Sequence, residues 1–145
     1  VPCSLVFISP SKNWDAVQSR ALSFFLHLYE DAVTFCNFNK YMTGYADTDL
    51  FGPSNEFTRA EFVTVLHRIV DPKAAGVDFT TVKIETGFAD VEDGMFYTAA
   101  ANWAVANKII SGVDVDGTRY IQADIILSRA MATQVVANSC YSGLF

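Results

Sequence analysis

Two stretches of this chain, about 70 residues apart, carry the same ordered signals, and a repeated unit constrains a fold more than any single motif does. The first passes from a helical pattern through Asn39-Lys40-Tyr41-Met42-Thr43-Gly44 and a polar loop to Thr58-Arg59-Ala60, where a second helical pattern begins. The second passes from a helical pattern over about Tyr97 to Asn107 through Asn107-Lys108-Ile109-Ile110-Ser111-Gly112. It continues along a Gly/Asp-rich loop, Val113 to Asp124, to Ser128-Arg129-Ala130 and a final helix. Both halves therefore read helix, Asn-Lys-apolar-apolar-(Ser/Thr)-Gly, loop, (Thr/Ser)-Arg-Ala, helix.

The start at Thr58 is the best specified of these elements. Thr58 stands where an N-cap hydroxyl is wanted, and Glu61 can reach back to the cap's own amide, completing a capping box. Phe57 before the cap and Phe62 at the fourth helical position form the matching hydrophobic staple. Arg59 at the first helical position serves neither device, and a cation there opposes the helix dipole. It either pairs with a nearby carboxylate, Glu56 or Glu61, or waits beside free backbone amides for an incoming anion. A cap hydroxyl followed by Arg at the same place in both units favours the anion.

The remaining elements follow from periodicity. From Lys12 to about Asn37 apolar residues fall at Trp14, Val17, Ala21, Phe24/Phe25, Leu28, Ala32 and Phe35, which predicts one long amphipathic helix or two abutting ones. The capped helix turns Phe62, Val63, Leu66 and Ile69 inward and closes at Asp71-Pro72. Pro72 to Thr86 is a connector with a short strand at most. The helix over Tyr97 to Asn107 turns Ala100, Trp103 and Ala104 inward.

Composition bounds the function. With 145 residues, 51% hydrophobic, the chain has apolar matter for one compact core. A net charge of -6 argues against nucleic acid held by a broad basic surface, and equally against adhesion to anionic lipid. An anionic ligand must then be caught by a local Arg pocket. No apolar run reaches transmembrane length, so no membrane insertion is expected. The chain starts at Val1 rather than Met, which reads as a processed or trimmed piece, and the apolar Val1 to Ile8 has no basic leader. Cys3, Cys36 and Cys140 fit no metal spacing; buried free thiols are expected, with one bridge left open if the protein is extracellular.

The stretches Gly44-Tyr45-Ala46-Asp47, Phe51-Gly52-Pro53 and Phe57-Thr58-Arg59-Ala60-Glu61-Phe62 resemble the S-layer homology (SLH) repeat. In the second half Phe88-Ala89-Asp90-Val91 resembles its opening, and Trp103-Ala104 through Ser111-Gly112 its first helix and Gly turn. The resemblance implies a mainly α fold, with tandem helix–loop–helix units packed around a helical bundle, a long N-terminal helix and at most short strands. Residues 1–27 would be an N-terminal segment and the start of the long helix, 28–70 the first unit, 71–87 a connector and 88–145 the second, all in one compact domain. It also implies a non-catalytic, extracellular module that holds bacterial surface proteins to a secondary cell-wall polysaccharide, often one bearing a pyruvate ketal. By the same resemblance Arg59 binds the ligand's carboxylate and Thr58 sets the helix start. Gly44 admits close backbone approach, and Tyr45 and Asp47 contact sugar. In the second unit Arg129, Ser128, Gly112 and Asp114 take the matching places.

The departures from that pattern are specific. Met131 replaces the Glu of the motif, breaking the second capping box, and the loop from Val113 to Asp124 lacks the usual Phe-x-Pro stretch. The Phe-x-Asp-Val opening is missing upstream of the first unit. Only two units are recognisable, so the third sector of a three-fold bundle would be filled by Val1 to His27, by another chain or by a further repeat. The first site is expected to be competent and the second degenerate. A structural or oligomerisation module that binds protein rather than glycan is the rival reading. Asp114-Val115-Asp116-Gly117 and Asp47-Thr48-Asp49 lack the ligand ladder of a calcium loop. No nucleophile elbow, zinc spacing or phosphate loop accompanies His27 or His67, so neither catalysis, metal nor cofactor is expected.

Overall fold

Four α-helices and one two-stranded hairpin make up the regular structure of the described residues, a mainly helical arrangement. The computed structural model describes residues 20–45 and 51–145; of 20–28 it describes the backbone alone. The expected helix start near Lys12, with Trp14 and Val17, lies outside the described residues, as does Cys3. No helix among them is long and apolar enough to cross a membrane.

Helix α1 (Arg20–Phe38) falls within the stretch where periodicity predicts a long helix. Where its side chains are described, the apolar stripe is not buried: Ala32 is exposed and Phe35 is 55% exposed, contrary to the expectation from periodicity. Helix α2 (Arg59–Val70) begins and ends where its signals lie, with Thr58 as N-cap and Asp71 as C-cap. The box is complete, because Thr58 Oγ1 accepts from the Glu61 amide (3.2 Å) while Glu61 Oε2 accepts from the Thr58 amide (2.7 Å). The Phe57 and Phe62 rings meet edge to face at 6.0 Å. Val63 and Leu66 are buried and Phe62 half-buried, but Ile69, expected inside, is 39% exposed.

The connector holds no strand. Asp71 and Asp78 each accept a bond from the amide two residues on, Lys73 (3.0 Å) and Thr80 (3.1 Å), and so open short 3-10 turns at Pro72–Gly76 and Phe79–Thr81. That local capture overrides the β preference of Thr80, Thr81 and Val82. Helix α3 (Thr98–Ala106) follows, with Ala100, Ala101 and Ala104 fully packed. Their small side chains let α3 lie close on α2, the one helix pair in extensive contact among the described residues. The core formed there joins both halves: Ala60, Val63 and Leu66 of α2 with Phe88, Val91, Tyr97, Ile109, Ile110, Ile121 and Val135. Each large aliphatic so buried contributes about 1.5–3 kcal/mol.

The loop expected from Val113 to Asp124 contains a hairpin, β1 (Val113–Val115) paired antiparallel with β2 (Thr118–Tyr120). Asp116 and Gly117, at φ of 51° and 80°, form its two-residue turn, the geometry an Asp-Gly pair favours. Asp114 accepts a bond from the Gly117 amide (3.0 Å), so its carboxylate closes this turn. Helix α4 (Arg129–Tyr141) starts at the Ser128 cap, which accepts from the Met131 amide (3.2 Å) with no carboxylate to reciprocate. Of its side chains only Val135 and Ser139 are buried.

The chain reversals after α1 and α3 match bond for bond. Lys40 and Lys108 both take positive φ, 61° and 58°, and Gly44 and Gly112 close the turns at 79° and 72°. The Asn39 and Asn107 side-chain amides donate to Phe35 O and Trp103 O, both at 2.8 Å. Tyr41 N reaches Cys36 O as Ile109 N reaches Ala104 O. In each half the following helix then holds the turn, through Arg68 Nη1 on Tyr41 O and Asn138 Nδ2 on Ile109 O.

Gly112 is the tightest point of the second turn. A methyl there would meet the Phe88 ring and Tyr120 O, on a backbone that L-residues rarely adopt. Gly112→Ala is expected to destabilise by about 2–4 kcal/mol, read as a shift of the urea midpoint. A loss within experimental error would show that the turn relaxes freely.

Candidate functional site

The amides at the start of α2 are not free. Arg59 N donates to Ile125 O (2.9 Å) and Ala60 N to Ala123 O (3.0 Å), while Glu61 N and Phe62 N are taken by Thr58 Oγ1 and Thr58 O. The segment leading into α4 thus lies antiparallel across the helix start, with Thr58 bridged to Ile126 and Leu127 N bonded to Phe57 O (2.9 Å). The expectation of open amides beside Arg59 therefore fails. Backbone carbonyls from the second half satisfy the orphan donors that an anion would have used.

That segment is held by Asp90. Its carboxylate accepts from Ile121 N (2.8 Å), Gln122 N (2.6 Å) and Ala123 N (3.4 Å), a concave run of amides made possible by Gln122 at φ 59°. Asp90 belongs to the Phe88-Ala89-Asp90-Val91 stretch, but nothing in that stretch alone points to partners more than thirty residues away.

Arg59 remains without a counterion. Glu61, one carboxylate left open as its partner, is engaged by Thr58 through both its amide and its hydroxyl (2.9 Å), and Glu56 makes no bond to it. Among the described residues no carboxylate lies within ion-pair distance of its guanidinium, and no acceptor bonds it. Its Nε is enclosed and unpartnered. Burial pulls the guanidinium below its ordinary value, and the charge of Asp90 partly offsets this. A cavity of about 10 Å³ lies beside it, lined by Arg59, Ala60, Tyr97, Ile110, Ile121 and Ala123, with room for one water.

None of the other expected site residues that are described, Tyr45 and Gly112 included, lines the cavity beside Arg59. Tyr45 covers Gly52 and its hydroxyl accepts from Asn55 Nδ2 (2.6 Å), and Gly44 is exposed. Asp47 lies outside the described residues. Gly112 approaches Phe88 rather than an open surface. Arg129 is exposed behind the Ser128 cap, and the Arg129 and Ala130 amides have no partner among the described residues. The two arginines thus sit in different settings, one half-enclosed and one in solvent. Among the described residues no three His, Cys, Asp or Glu side chains converge as a metal site. Cys36 is half-buried and Cys140 exposed, both as free thiols, so neither is the fully buried thiol expected. Trp103 is half-buried and stacks its face on His67, at 4.8 Å and 20° between planes, so that face is already covered.

Asp90→Asn keeps the shape but offers one carbonyl oxygen to three amides, and is expected to cost about 2–3 kcal/mol by chemical denaturation. Burial holds the His67 imidazole below its ordinary 6.5, with Asp71 raising it and Arg68 lowering it further. The unfolded chain then takes up this proton first, so stability is full above about pH 6.5 and is lost as pH falls through the folded value. Melting temperatures from about pH 8 to about pH 5 should fall less steeply in His67→Gln; an unchanged slope would remove His67 from the acid response. Comparison of the chain with family models, with curated proteins and with solved structures found no match.

Proposed function

We propose that this chain is a non-catalytic, extracellular anchoring module built of two SLH-like units, which holds its parent protein to the bacterial cell surface by binding a pyruvylated secondary cell-wall polysaccharide. The observation that carries the reading is the half-buried Arg59 guanidinium with no protein anion within ion-pair distance among the described residues. A cation drawn partly out of water and left uncompensated is costly, and a bound carboxylate relieves that cost. Two candidates inside the protein, Glu61 and Asp90, are committed to backbone amides and the Thr58 hydroxyl. The matched turns after α1 and α3 support the two-unit reading of the chain.

The pocket differs from a simple helix-end anion site. With the first-turn amides of α2 occupied and the adjoining cavity no larger than a water, the ligand's carboxylate meets the guanidinium from its solvent side. Recognition then rests on the planar fork of Arg, which suits a fixed carboxylate on an otherwise neutral sugar. Arg129, exposed, is the weaker of the two.

The test is retention on purified wall polysaccharide. Wild type is expected to be retained, Arg59→Ala to lose about tenfold or more in affinity, and Arg129→Ala to lose little. Chemical removal of the pyruvate should reproduce the Arg59→Ala loss. Equal retention of Arg59→Ala and wild type, with both folded by circular dichroism, would overturn the proposal.

A further inference from the structure

The joint between the two halves of the chain has two faces, and each half also carries the face that the other uses, exposed among the described residues. At the joint, carbonyls of Ala123 and Ile125 close the amides of Ala60 and Arg59, and α3 packs on α2, with Tyr97 beside Ala60 and Trp103 stacked on His67. The correspondence of the two Thr/Ser-Arg-Ala starts places Pro53 and Asn55 where Ala123 and Ile125 stand, and Arg129 and Ala130 where Arg59 and Ala60 stand. The Arg129 and Ala130 amides are unpaired among the described residues, and so are the Pro53 and Asn55 carbonyls. The correspondence of the two Asn-Lys turns places Tyr29, Ala32 and Phe35 of α1 where Tyr97, Ala100 and Trp103 stand from the cap of α3 onward. At the cap of α3 Tyr97 is 7% exposed and within it Ala100 is 2% exposed; on α1, Tyr29 is 53% and Phe35 55% exposed.

We propose that copies of this chain associate head to tail, with α1 and the 53–57 segment of one copy docking on the start and outer face of α4 of the next. The contact repeats between molecules the joint already made within one. Asn55 O and Pro53 O of one copy accept from Arg129 N and Ala130 N of the other, and the Tyr29–Ala32–Phe35 stripe covers α4 near Val136 and Ala137. A second copy is the fitting occupant because donor and acceptor faces both lie on this chain, each complementary to the other by the pattern its own joint displays. The contact is heterologous, so association grows with concentration unless it closes into a ring. The inference rests on the correspondence of the two halves and not on any glycan.

Sedimentation velocity of the full chain in the absence of polysaccharide tests it, over low to high micromolar concentration. Wild type is expected to show a weight-average mass rising above the monomer. Arg129→Pro removes one amide donor at the first helical position, where proline is accommodated after an extended Ser128, and is expected to abolish association. Arg129→Ala keeps the amide and is expected to associate like wild type. Phe35→Glu, at an exposed position that leaves the core untouched, is expected to remain monomeric and serves if Arg129→Pro does not fold. A monomeric wild type, association surviving in either folded blocking variant, or its loss in Arg129→Ala overturns the proposal. Glycan retention, read separately through Arg59, is independent of all three outcomes.

Discussion

One carboxylate organises the path from the second half of the chain back to the first. Asp90 gathers the amides of Ile121, Gln122 and Ala123, and the chain so bent then runs antiparallel over the start of α2. Charge-assisted bonds of this kind are worth roughly twice neutral ones, and here they act across a loop of about thirty residues, where ordering entropy is considerable. The Ala123 and Ile125 carbonyls reach Ala60 and Arg59 because of that bend, and α3 then lies on α2 through its own alanine face.

The same joint explains why two similar motifs do different work. At Thr58-Arg59-Ala60 the helix start is covered, and the guanidinium emerges beside a small enclosed space. At Ser128-Arg129-Ala130 nothing covers the start among the described residues, and the guanidinium is in water. Position within the chain, rather than the three residues themselves, sets the environment. A binding reading built on residue identity alone would treat the two arginines as equals.

What could be read from residues was local. The Thr58 box, the Phe57–Phe62 staple, the stop at Asp71-Pro72 and the Ser128 cap all depend on neighbours within five positions, and each stands where its signal lay. The Asp116-Gly117 turn was equally local, yet the surrounding charge of Asp114, Asp116 and Arg119 concealed the strands. Periodicity marked an apolar stripe on α1 but could not say whether anything covers it; Phe35 and Ala32 are exposed. The occupied amides of α2 and the role of Asp90 depend on contacts between distant segments, and no spacing along the chain encodes them.

The pairing of Trp103 with His67 has an optical side. An indole stacked at 4.8 Å on an imidazole emits differently when that imidazole gains a proton, because the cation accepts excited-state charge from the ring. The chain's second tryptophan is Trp14, so in a Trp14→Phe variant the acid-dependent emission would come from the interface between α2 and α3. The molecule thus carries a built-in fluorophore that reports whether its two halves are seated together.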